Sequence, residues 1–101
     1  MTPYTAIPSI INDLITRLKA EATADSQPGL VDLLTSIGTV TWYNLPYNLN
    51  KLVVGIKGYQ AILFDGDLQD VIDEIDTIYW FDLFKKVALL IEAVELIESL
   101  T

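Results

Sequence analysis

The residues best able to do chemistry are the carboxylates between Asp65 and Asp76: Asp65, Asp67, Asp70, Asp73, Glu74 and Asp76. Carboxylates so gathered can hold a hard cation, move protons or imitate a phosphate backbone. Asp65, Asp67, Gln69, Asp73 and Asp76 fall on ligand positions of a calcium loop, but the sixth position, where the sharp turn needs glycine, holds Asp70. Helical periodicity from Leu68 onward points instead to a solvated acidic face, so no metal site is expected. On such a helix Asp67, Asp70, Asp73, Glu74 and Asp76 would recur about 5 Å apart, comparable to backbone phosphates. An acidic DNA-mimic inhibitor of a nucleic-acid-binding protein would have that geometry, and Glu92, Glu95 and Glu98 add a second acidic row.

Catalysis has little else to draw on. The chain has no histidine and no cysteine, which removes the commonest general base, the strongest nucleophile and the commonest metal ligand together. Asp65-Gly66-Asp67, preceded by Ala61-Ile62-Leu63-Phe64, resembles the first motif of haloacid-dehalogenase-type phosphatases. In those enzymes a nucleophilic Asp and an acid/base Asp stand at the end of a buried strand. The resemblance stops at Asp67: no Thr or Val follows Leu68 at the usual place. A chain of 101 residues also leaves no room for a Rossmann-like sheet or for the later catalytic Lys and acidic pair. The expectation is a protein without enzymatic activity or cofactor.

A different chemistry lies in the aromatic residues. No charged residue occurs between Leu33 and Asn50, and this stretch holds Trp42, Tyr43 and Tyr47. Depletion of charge with enrichment of Trp and Tyr marks the cores of protein interfaces, although a buried core would read the same way. Trp80, within Tyr79-Trp80-Phe81, belongs with this set. Leu89 and Leu96 form a second apolar row on the last helix, which is apolar over most of its circumference and must be covered on several sides. Trp42, Tyr43, Tyr47, Trp80, Leu89, Leu96, Asp70, Asp73 and Glu74 are therefore the candidate partner-binding residues.

Composition narrows the partners. The net charge is −8 and the six bases are scattered, so direct nucleic-acid binding is not expected. An acidic surface keeps a protein soluble and can steer a basic partner. Mean hydropathy is nonetheless positive (+0.39), and a small domain hides apolar surface poorly. Part of the excess is expected to face another protein or a second copy, as a homodimer or higher oligomer. Met1-Thr2-Pro3-Tyr4 lacks the pattern of a signal peptide, and Glu92, Glu95 and Glu98 interrupt the most apolar stretch. The reading is a cytoplasmic protein with no membrane partner, including one encoded by a virus and acting in its host cell. The leading functional expectation is a non-enzymatic protein-binding module, of the adaptor, inhibitor or immunity type. The alternative is a self-associating structural or assembly subunit.

These residues must be positioned by helices. The spacing predicts a small all-α bundle of four to five helices over residues 1–101 as a single helical domain, with a short β element around 39–43. Ile7, Ile10, Ile11, Leu14, Leu18 and Ala22 recur at helical spacing from Pro8 onward. Leu30, Leu33, Leu34 and Ile37 define a second helix, capped by Asp25 or Ser26 and ended by Gly38. Residues 49–64 read as a helix capped by Asn48, or alternatively as a hairpin over 52–64, because Gly55 and Gly58 weaken a helix. Leu68, Val71, Ile72, Ile75 and Ile78 define a fourth helix capped by Asp67, and Asp82 can cap the last. No internal repeat, low-complexity tract or linker is evident.

Overall fold

The computed structural model describes residues 6–101, and among them it contains five α-helices and no strand. α1 spans Ile7–Ala24, α2 Pro28–Ile37, α3 Leu45–Leu63, α4 Gly66–Ile75 and α5 Leu83–Leu100, with short 3₁₀ turns at Trp42–Asn44 and Trp80–Asp82. The chain is thus a compact all-α bundle. The β element expected at 39–43 is absent: Thr41 is extended, but the backbone then tightens into the 3₁₀ turn.

The hairpin alternative for 52–64 is also replaced by helix, and the two glycines have a packing role. A Cβ at Gly55 would run into Leu34, and one at Gly58 into Leu30, so their absence lets α2 lie close against α3. α3 begins at Leu45 with a proline in its first turn, and Asn48, expected as its cap, is buried inside the helix. Neither Asp25 nor Ser26 caps α2, whose N-cap is Gln27 without a side-chain bond. α4 is capped by Asp65 rather than Asp67: the Asp65 carboxylate accepts from the Leu68 N–H at 2.9 Å.

α1, α3 and α5 pack on one another as a triangle, with α2 covering the α1/α3 side and α4 the α3/α5 side. Leu14, Leu52 and Leu90, one from each odd-numbered helix, are fully buried, as are Leu18, Ile56 and Val94. The core they form is continuous through all five helices. Arg17 of α1 holds Glu98 of α5 with both Nε and Nη2, closing the triangle. Tyr59 is buried, and its hydroxyl donates to Asp25 at 3.1 Å.

This arrangement is a tandem repeat, correcting the expectation of none. Ile7 and Leu45 open α1 and α3, Pro28 and Gly66 open α2 and α4, and Leu45 and Leu83 open α3 and α5; each pair is thirty-eight residues apart. The same offset relates Pro8 to Pro46, Asn12 to Asn50, Ile37 to Ile75, Thr39 to Thr77 and Trp42 to Trp80. A helix pair and the loop after it therefore occur twice, followed by a third copy of the first helix. Unlike an open stack of repeats, the array bends until its first and last helices touch.

Candidate functional site

The two loops that follow the even-numbered helices meet at one end of the bundle, and each is fastened by an asparagine one helix pair upstream. Asn12 of α1 accepts from the Val40 N–H at 2.9 Å and donates to the Val40 carbonyl at 3.0 Å. Asn50 of α3 does the same for Ile78, at 3.0 and 3.1 Å. An amide side chain offers one acceptor and donors in the geometry of a peptide, so each asparagine completes the backbone pairing of a residue outside any helix. Val40 and Ile78 are buried beneath these bonds.

After each fastened residue the chain makes a second polar closure. Asn44 accepts from the Thr41 N–H at 2.8 Å, and Asp82 accepts from the Tyr79 N–H at 2.9 Å, while the N–H of each returns to the carbonyl of the same partner, closing its 3₁₀ turn. Asp82 stands at the N-cap position of α5, as expected, but its carboxylate accepts from Tyr79 of the preceding turn rather than from an N–H of α5. Lys86, nine-tenths buried, reaches the end of α4: it donates to the carbonyls of Glu74 and Ile75 in its last turn and of Thr77 in the loop beyond, and lies 3.8 Å from Asp82. A cation there satisfies carbonyls that the end of a helix leaves unpaired.

With their backbones held by polar groups, the loops carry their aromatic rings outward. Tyr43 is 98% exposed and Phe81 87%, and Tyr47, Tyr79, Trp80 and Phe84 are also exposed. Trp42 is half-buried against the core and stacks on Trp80, with ring centroids 6.4 Å apart and planes 11° from parallel. Tyr79 stacks on Phe81 at 5.4 Å, and the Lys51 ammonium sits 4.5 Å above the Tyr47 ring. Of the residues expected from sequence, the fold stacks Trp42 on Trp80 and leaves Tyr43 and Tyr47 exposed on the turn and helix start that follow the first loop; Tyr79, Phe81 and Phe84 are exposed on the second loop and the helix start after it. The thirty-eight-residue offset is the signal for Phe81, which stands where Tyr43 does; Tyr79 and Phe84 correspond to Thr41 and Pro46 and carry no such signal.

The remaining expected residues lie elsewhere. Asp70, Glu74, Leu89 and Leu96 line one groove between α4 and α5, together with Asp67 and Glu92. Leu89 is buried in that packing and Leu96 partly so, which means the second apolar row of α5 is largely covered by α4. Asp73 faces the other way, toward α3, where its carboxylate accepts from Gln69.

Among the described residues no group of three or more acidic side chains converges in a way that could hold a metal ion, and no helix is long and apolar enough to cross a membrane. Compared with protein-family models, curated proteins and solved structures, the chain matches none of them.

Proposed function

We propose that the protein is a non-enzymatic binding module that recognises another protein through its aromatic end. The observation that carries this reading is the exposure of large rings on backbone that polar groups hold in place. Asn12 and Asn50 fasten the loops and Asn44 and Asp82 close them, so the rings are not needed to hold them. A surface fixed before binding loses little conformational entropy when a partner covers it, and Trp and Tyr give large contact area for few rotatable bonds. The test is affinity capture from the native host with wild type and with the double variant Tyr43→Ser/Phe81→Ser. A specific protein retained by wild type and lost with the variant is the expected result. Equal retention by both would place binding elsewhere.

A second reading rests on the groove between α4 and α5, where Asp67, Asp70, Glu74 and Glu92 surround the partly buried Leu96. That combination suits a basic amphipathic segment, as an acidic inhibitor would engage. Binding there would weaken steeply with salt and respond to Asp70→Lys but not to Tyr43→Ser.

A further inference from the structure

We propose that the partner at the aromatic end is a second copy of this chain, paired about a two-fold axis; this rests on the reading of that end as a protein-binding surface. The first argument is area. The six exposed rings (Tyr43, Tyr47, Tyr79, Trp80, Phe81 and Phe84) together present about 800 Å² of accessible surface, taking their exposed fractions of roughly 200 Å² per ring. That is about one partner's share of a standard protein interface.

The second argument is charge. Two copies that each carry −8 repel one another, so they can meet only where acids are sparse. Segments 38–51 and 76–91, which build this end, contain two acids, Asp76 and Asp82, and three bases, Lys51, Lys85 and Lys86. Asp82 and Lys86 are already engaged with each other and with the backbone. Lys85 is exposed in the first turn of α5 and Lys51 partly exposed over the Tyr47 ring, while Glu74 and Asp76 stand exposed at the end of α4 that leads into the second loop. A rim carrying both signs allows a two-fold related copy to meet each charge with its opposite.

The third argument is the repeat itself. In a two-fold interface a residue of one copy meets a different residue of the other, and the exchange happens twice. Here each copy presents two like loops side by side, Thr41-Trp42-Tyr43 and Tyr79-Trp80-Phe81, joined by the Trp42–Trp80 stack. Turning a second copy about an axis near that stack sets the first loop of each against the second loop of the other, aromatic on aromatic. A self-complementary surface thus follows from the tandem duplication.

Light scattering and sedimentation equilibrium on the full chain, loaded from about 1 μM to about 1 mM, test this. The wild type should pass from single-chain mass to twice that mass as concentration rises. Tyr43→Ser/Phe81→Ser should weaken the dimer by about a hundredfold or more while its helical circular dichroism stays unchanged, and Phe81→Lys alone should act in the same direction. Phe64→Ser removes an exposed ring outside this end and should leave the dimer intact. A wild type at single-chain mass throughout the range overturns the inference, as does a dimer that survives both aromatic variants. If such a monomer still captures another protein through Tyr43 and Phe81, protein binding stands and the second copy is removed as the partner.

Discussion

The loop from Gly38 to Asn44 and the loop from Asp76 to Asp82 are two versions of one device, and their differences separate its framework from its surface. Both begin with a residue at positive φ: Gly38 at +70° and Asp76 at +48°. Both are fastened by an asparagine to a buried β-branched residue and closed by a side-chain oxygen, of Asn44 or Asp82, and both carry a tryptophan followed by an exposed ring; the second adds Tyr79 ahead of its tryptophan, where the first has Thr41. What changes is the residue at the turn, where the second loop has a carboxylate in a conformation that suits glycine, and the ring at the tip, Tyr43 against Phe81. Backbone strain of this kind costs about 1 to 3 kcal/mol and persists where the surroundings enforce it. For the second loop the enforcement is visible: Asn50 holds Ile78, and Lys86 holds the carbonyls on either side of Asp76. The framework is therefore stronger where the turn is less favourable.

Breaking the framework should have the largest effect. Asn50→Ala leaves the N–H and carbonyl of buried Ile78 without their partner and should lower stability by about 2 to 4 kcal/mol in urea unfolding. Asn12→Ala should do the same through Val40. If the strained turn depends on its clamp, the loss at Asn50 will be the greater of the two. A smaller effect of opposite sign is expected at the turn. Asp76→Gly should raise stability by about 1 kcal/mol, while Gly38→Ala should lower it by about 1 to 2 kcal/mol, both read as shifts in urea midpoint. At the tips the change should nearly vanish: Tyr43→Ser or Phe81→Ser should alter folding stability by under about 0.5 kcal/mol, even where it abolishes association.

Much of the helical scaffold was legible in the sequence, because apolar spacing marks α1, α4 and α5 with little competing signal. The middle was not, for physical reasons tied to particular residues. Gly55 and Gly58 lower helix propensity, yet α3 keeps them because Leu34 and Leu30 of α2 occupy the space a side chain would need. The β-branched and aromatic run at 39–43 reads as a strand, but the Thr41 N–H donates to Asn44 and the chain turns. The repeat is faint in the sequence because its two complete copies share few identical residues, chiefly a proline, an asparagine, buried aliphatics and the tryptophan. At the site, Trp42, Tyr43, Tyr47 and Trp80 were readable from charge depletion and residue type. Leu89 and Leu96 look like surplus apolar surface in the sequence, because nothing local shows that α4 packs beside them.

The chain has two tryptophans, and both stand in the stack at the aromatic end, so their emission reports on that surface directly. Acrylamide quenching of tryptophan fluorescence, compared between the free protein and its associated state, is the most direct test of the aromatic end as the binding surface. Quenching should fall and the emission should shift to shorter wavelength when association occurs, with both changes absent in Tyr43→Ser/Phe81→Ser. Association that leaves quenching and emission unchanged would contradict the account, because the partner would then be covering another face.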